Sequence, residues 1–153
     1  MTHEELVAKY PLIFTVERYP SVSKGWIPLL DALCDRLQGI TDLEIKKILR
    51  HNELYKEGKV EKPYENTESL FDTMQIKCIQ CKEKFGGLRF YTRDGLGEKH
   101  LNIIHEYEIL SYHICENCSS MFEIGWTQGW ISTICINCKD KPEYKNKEWK
   151  KNT

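Results

Sequence analysis

The chain has 153 residues, of which 41% are hydrophobic and 29% are charged, a balance that predicts a folded domain and excludes a disordered chain. Its net charge of −1 excludes a global field that would attract nucleic acid or an anionic membrane, so a nucleic-acid contact would need a local patch. No apolar run reaches the roughly 18 residues of a membrane span, and the N-terminal segment MTHEELVAKYPLIF lacks the pattern of a signal peptide, which together predict a cytoplasmic protein.

The first part of the chain predicts helices joined by loops. Thr2 and Glu5 have the spacing of a capping box, and the short helix that they begin ends at Pro11. A second helix begins at Gly25–Pro28 and carries one stripe at helical spacing: Trp26, Leu30, Leu33, Cys34 and Leu37. Because free cysteine packs as a small hydrophobe, Cys34 is predicted to be a plain core thiol.

The middle of the chain predicts a third helix, a long loop and then a β-hairpin. Thr41 and Glu44 repeat the capping-box spacing, and the helix that they begin ends before Gly58. The polar segment KVEKPYENTES is predicted to be a loop. Two apolar-patterned runs, MQIKCIQCKEKF and LRFYT, flank a glycine pair and predict the hairpin, and an amphipathic helix over EKHLNIIHEYEILSYHI follows it.

Two cysteines on the first hairpin strand, Cys78 and Cys81, allow two interpretations. As a zinc knuckle they would supply half of a second metal site, completed by a histidine such as His100, His105 or His113. As strand residues three apart they would face opposite sides of the sheet and could not share an ion. The hairpin pattern favours the strand, so a second zinc ion stays open but is not favoured.

The strongest signal is a pair of Cys-x-x-Cys motifs separated by sixteen residues, which contribute Cys115, Cys118, Cys135 and Cys138. This spacing is typical of a four-cysteine zinc site, and four thiolates leave no position for water or substrate. We therefore predict one structural Zn²⁺, with iron as an alternative that the sequence does not distinguish. In a chain without an export signal, paired cysteines favour thiolates in a reducing cytoplasm over disulfides.

Aromatic residues and lysines surround this motif. Phe122, Trp126 and Trp130 lie between the cysteine pairs, and we expect them to pack over their own hairpin, with a recognition surface as the alternative. The last segment, residues 139–153, has six lysines against three acidic residues and is predicted to be a basic, mobile tail that would be able to attract nucleic acid.

Four blocks, LVAKYPLIF, GWIPLLDALCDRL, KEKFGGLRFY and the Cys-x-x-Cys…GW…Cys-x-x-Cys ending, resemble in this order a group of small phage- and prophage-encoded proteins. The resemblance covers nearly the whole chain apart from about residues 52–72, and KEKFGGLRFY is its most specific piece. It implies a phage or prophage origin and hence a host bacterial cytoplasm, but no biochemical activity. This chain departs from the group at Cys78 and Cys81, where its relatives have ordinary strand residues.

Together these features predict an α+β fold. N-terminal helices pack on a small antiparallel hairpin sheet in residues 1–114, a zinc ribbon forms residues 115–138, and the tail follows. The predicted function is that of a non-enzymatic, zinc-stabilised binding protein that acts through protein contact, including interference with a host process or defence. The alternatives are a nucleic-acid-binding zinc module and a metal-dependent nuclease, which would need histidine ligands that the interval 119–134 lacks.

Overall fold

The computed structural model describes residues 1–15, 18–93 and 95–153. These residues contain four helices and two small antiparallel sheets. The elements in chain order are α1 (His3–Lys9), α2 (Ile27–Lys56), α3 (Thr67–Met74), β1 (Cys78–Lys84), β2 (Gly87–Thr92), α4 (Glu98–Ser111), β3 (Ile124–Thr127), β4 (Thr133–Cys135) and β5 (Trp149–Lys151). A 3₁₀ turn over Lys24–Trp26 precedes α2. This architecture confirms the predicted α+β class.

The capping box at the start of α1 is confirmed. The Glu5 backbone N–H donates to Thr2 Oγ1 at 3.2 Å, and the Thr2 N–H donates to Glu5 Oε2 at 2.7 Å. These two bonds pair N–H groups that the first turn of a helix otherwise leaves without a partner. The helix buries Leu6 and Val7 in the main hydrophobic core, which it shares with α2.

The prediction of a new helix at Thr41 is wrong, because α2 runs unbroken over 30 residues through this position. Thr41 is fully buried, and its hydroxyl donates to the Leu37 carbonyl at 3.2 Å within the helix instead of capping a new one. The helix ends before Gly58, as predicted, and the left-handed φ of +74° at Gly58 suits a glycine after a helix end. Neither α2 nor another helix in the described ranges is long and apolar enough to cross a membrane.

The predicted polar loop after α2 is shorter than expected, because the eight-residue α3 begins at Thr67 and includes the last three residues of that segment. The side chain of Asn52 donates to the Tyr64 carbonyl at 3.0 Å and accepts from the Tyr64 N–H at 2.7 Å. These two hydrogen bonds hold the loop against the last turns of α2. A sequence pattern does not reveal such a contact, since it joins residues twelve positions apart.

The predicted hairpin is confirmed, with β1 and β2 antiparallel and Leu88 and Phe90 facing the core. The strand geometry differs from the expectation in one respect. A bulge between Cys78 and Gln80 shifts the register, so Cys78 and Cys81 both point into the core instead of to opposite faces. Both thiols belong to the same hydrophobic cluster as the α2 stripe.

Side chains of α4 cover the outer edge of β2. The Leu88 N–H donates to Ser111 Oγ, and the Phe90 N–H donates to Glu108 Oε1, both at 2.8 Å. These bonds satisfy strand N–H groups that point away from β1. An edge that would otherwise be open for pairing with another chain is therefore partly closed.

The segment 139–153 is not the mobile tail that its composition predicts, because its last residues form β5. The second sheet has the order β4–β3–β5, and Trp149 of β5 pairs with Thr127 of β3. The Trp149 indole donates to the Ile134 carbonyl at 2.8 Å, and its ring lies over Gly125, where a β-carbon would be 2.5 Å from the ring. Residues 115–153 thus form one C-terminal lobe.

Candidate metal centre

Four cysteine thiols converge at one end of the C-terminal lobe. The Sγ atoms of Cys115, Cys118, Cys135 and Cys138 all lie within 4.8 Å of one another, and those of Cys118 and Cys135 are 3.6 Å apart. Sulfurs at tetrahedral corners, each about 2.3 Å from a zinc ion, would be about 3.8 Å apart. The structure therefore brings together all four predicted ligands at a spacing that suits one ion.

Backbone turns at each cysteine pair orient the thiols. At the first pair the Ser119 N–H donates to the Cys115 carbonyl at 3.0 Å, and Ser119 has a left-handed φ of +65°. At the second pair the N–H groups of Cys138 and Lys139 donate to the Cys135 carbonyl at 3.0 and 3.1 Å. Each turn directs two sulfurs to the same side, which is why a two-residue spacer serves a shared ion.

The thiols influence each other's ionisation. Burial and the neighbouring thiols raise the pKa of Cys135 to about 12, and burial also raises the pKa of Cys138. Burial opposes ionisation of Cys118 too, but the Ser120 N–H and the three other thiols outweigh it and lower the pKa of Cys118. Cys118 ionises more readily than an ordinary thiol, whereas Cys135 and Cys138 resist ionisation, so a bound cation would be needed to hold these groups together as thiolates.

An amide beside the cluster also fits a thiolate site. Asn117 Nδ2 is buried and has no hydrogen-bond partner within the described ranges. Although burial is the main influence on Cys138 and raises its pKa, the Asn117 side chain acts in the opposite direction. The Cys138 sulfur must be anionic to bind metal, and the Asn117 amide is a buried donor beside it. Donors of this kind hydrogen-bond to metal ligands and orient them.

The donor set determines what the centre can do. Four thiolates suit zinc, and a sulfur-only site would also accept iron. Such a shell is full, so the ion would have no position at which to bind water or substrate, and its contribution would be to the folding of the lobe. We conclude that residues 115–138 form a metal-binding module of the zinc type.

The other predicted candidates lie elsewhere. Cys78 and Cys81 are buried in the hydrophobic core, and the convergent group of ligand atoms in the described part of the chain does not include them. His105 and His113 are exposed, whereas His100 is buried with neither ring nitrogen bonded to a described residue. The expected core position of Cys34 is confirmed.

Two of the three aromatic residues between the cysteine pairs do not pack as expected, whereas Trp126 is half-buried. Trp130 is 74% exposed and Phe122 is 65% exposed, because Trp149 of β5 covers the hairpin instead. Trp130 lies beside Phe85, which is 68% exposed at the tip of the β1–β2 hairpin, and the two line a groove of about 210 Å³ together with Ile131. We call Phe85, Trp130 and Ile131 the aromatic groove.

Direct contacts join the C-terminal lobe to the helical part of the chain. The Trp26 indole donates to the Ile114 carbonyl at 2.9 Å, and the Gly25 N–H donates to the Glu116 carbonyl at 2.7 Å. Thr133 Oγ1 donates to the Gly86 carbonyl at 2.6 Å. The folding of the lobe therefore determines where Trp130 and Ile131 lie relative to Phe85.

Comparison with protein-family models, with curated proteins and with solved structures found no match for this chain. The functional interpretation accordingly rests on the metal centre and on the surfaces around it.

Proposed function

We propose that this protein is a non-enzymatic, zinc-stabilised binding protein of phage or prophage origin, which acts by contact with another protein in the bacterial cytoplasm. The observation that carries the proposal is the closed cluster of four thiols. A full thiolate shell stabilises structure and offers no reaction site. In a reducing cytoplasm these thiols stay available for metal.

The aromatic groove is the proposed contact surface. Phe85 and Trp130 project from two different hairpin tips and are both largely exposed, although Lys84 Nζ lies 5.5 Å from the Phe85 ring centroid. Large aromatic residues supply much of the binding energy in protein interfaces, and an exposed apolar patch on a domain of this size commonly marks an interaction site. The partner is therefore proposed to be a protein with an apolar residue that fills this groove.

The KEKFGGLRFY block, which supports the phage or prophage origin, has a structural role at the same surface. Gly86 lies under Ile131 and Thr133, with a left-handed φ of +75°, and Gly87 lies against Tyr112. The glycine pair thus allows the hairpin tip to approach the C-terminal lobe closely. Interference with a host process or defence is the role that we propose for such a binding protein.

A nucleic-acid-binding module is the second candidate, and one observation favours it. Cations lie beside aromatic rings on the open side of the sheets: Lys82 Nζ is 5.8 Å from the Tyr91 ring centroid, and Lys150 Nζ is 5.7 Å from that of Trp126. Single strands bind to surfaces that combine basic residues with stacking platforms. Binding to a dT oligonucleotide that weakens steeply with salt would favour this candidate.

Affinity capture tests the proposed function. The zinc-loaded full chain is immobilised and exposed to lysate of the bacterium that carries the gene, beside the variants Phe85→Asn and Leu49→Ser. Asparagine tolerates the left-handed φ of +52° at position 85 and removes the ring, whereas Leu49 is an exposed leucine on α2 outside the groove. We expect one protein to bind the wild type and Leu49→Ser and to be lost with Phe85→Asn.

Three results of this experiment contradict the proposal. These are retention of the partner by Phe85→Asn, recovery of nucleic acid in place of protein, and the absence of any retained protein.

A further inference from the structure

A larger cavity separate from the thiol cluster lies between the N-terminal segment, β1 and the C-terminal lobe. Its volume is about 550 Å³, within the range of ligand sites in proteins. Three carboxylates and three aromatic rings line much of it, from Glu4, Glu83, Glu116, Tyr19, Trp130 and Tyr144. We call this space the acidic cavity.

The charged side chains that line the acidic cavity are mostly carboxylates, although His3 also belongs to the lining. Its carboxylates come from α1, β1 and the first cysteine pair, and none of them takes part in the ion pairs formed by the described residues. No lysine or arginine is among the described residues that line it. Lys147 Nζ lies 5.8 Å from the Tyr144 ring centroid, but Lys147 is not part of the lining. A ligand that fits this field carries positive charge.

Glu116 contributes a hydrogen-bond acceptor to the acidic cavity. Its side chain is only 4% exposed, and Oε1 accepts the Thr133 N–H at 2.6 Å. Its other oxygen, Oε2, forms no hydrogen bond within the described ranges, although the residue opens onto the cavity. This oxygen is not among the buried side-chain atoms that lack a partner, so it is accessible from the cavity and can accept an N–H group of a ligand.

The aromatic residues indicate what kind of cation would fit. Trp130 and Tyr19 are exposed at the cavity, and cations are attracted to the faces of such rings. The carboxylates do not belong to the convergent metal-binding group of the described residues, so their arrangement does not suit a bare metal ion. An extended organic cation with an apolar stem matches both the rings and the carboxylates.

We propose that the acidic cavity receives a lysine or arginine side chain of the partner protein. Glu83 and Glu116 accept its N–H groups, while Trp130 and Tyr19 cover its stem. This inference rests on the proposed protein-binding function and adds the chemistry of the partner. Because Trp130 lines both the acidic cavity and the aromatic groove, one partner segment places its basic residue in the first and its apolar residue in the second.

Binding of fluorescently labelled hexa-arginine to the zinc-loaded full chain, followed by anisotropy at low salt, tests the proposal. Hexa-citrulline, which has nearly the same shape without the charge, is the control peptide. Glu83→Gln and Trp130→Ala should each weaken hexa-arginine binding about fivefold or more. Glu148→Gln and Phe122→Ala remove a carboxylate and a ring of the same lobe that do not line the cavity, and they should leave binding unchanged.

The possible outcomes separate the two proposals. Equal binding of hexa-citrulline, equal weakening by the Glu83 and Glu148 variants, or no effect of Glu83→Gln and Trp130→Ala overturns the cavity proposal. Binding of a dT oligonucleotide through Trp130 without hexa-arginine binding overturns it as well. If a captured partner is lost with Phe85→Asn but retained by Glu83→Gln, the protein-binding function stands and the cavity proposal fails.

Discussion

The backbone of Gly87 lies so close to the ring of Tyr112 that a β-carbon at position 87 would be 2.3 Å from the tyrosine Cζ. The contact joins the start of β2 to the end of α4, just before the C-terminal lobe. Gly87→Ala would therefore force the ring or the strand to move, and we expect a loss of about 1–3 kcal/mol in the free energy of unfolding. Urea unfolding followed by circular dichroism measures it.

Gly39→Ala is the matched control for this substitution. Gly39 lies inside α2, and a β-carbon there would meet nothing within 4 Å. Alanine at this position should stabilise the protein by about 0.5–1 kcal/mol through helix propensity. Equal stability of the Gly87→Ala variant and the wild type would contradict the contact.

Trp149 should stabilise the C-terminal lobe although it lies near the end of the chain. Trp149→Ala removes the ring over Gly125 and the hydrogen bond to the Ile134 carbonyl, so we expect a loss of about 2 kcal/mol or more. Phe122→Ala, which removes an exposed ring, should change stability by less than about 0.5 kcal/mol. Rapid hydrogen exchange of the amides of 149–151 in the wild type would instead support a mobile tail.

The three core thiols should resist alkylation in the folded protein. Burial raises the pKa of Cys78 to about 12 and also raises the pKa values of Cys34 and Cys81, so the reactive thiolate is scarce at pH 8. Removal of zinc by a chelator should unfold the C-terminal lobe, so iodoacetamide should then modify the four thiols of the cluster, whereas denaturant should be needed for the other three. Mass spectrometry of peptides identifies the sites. Labelling of Cys78 as fast as Cys118 would contradict the core placement.

Zinc affinity should increase with pH. The pKa values of Cys135 and Cys138 are raised above the ordinary value of a thiol, so both are protonated near pH 7 and must release their protons to bind the ion. At least two displaced protons make the binding constant rise about 100-fold or more per pH unit between pH 6 and pH 8. Competition with a chromophoric chelator measures this slope, and a flat profile would show that the ligands are not these thiols.

Local patterns predicted those parts of the fold that local interactions determine. Thr2 and Glu5 cap α1 because both partners lie within one turn, and the glycine pair ends β1 where the pattern predicts the hairpin. The metal ligands were also predictable, since the spacing of Cys-x-x-Cys is itself the geometric requirement of the site.

Other features depend on contacts that are distant in sequence. Thr41 has the signature of a helix start, but its burial in the core keeps α2 continuous. The lysine-rich end forms β5 because Trp149 finds Gly125, more than twenty residues earlier in the chain. The sequence pattern does not indicate that the Glu116 carboxylate is buried, because only the fold places it in the acidic cavity.

Metal analysis of the purified protein shows whether Cys115, Cys118, Cys135 and Cys138 hold one ion. We expect about one zinc ion per chain in the wild type and in Cys78→Ala and Cys81→Ala, and loss of that ion in Cys115→Ser. A second ion that disappears with Cys78→Ala, or a full metal content in Cys115→Ser, would contradict this expectation.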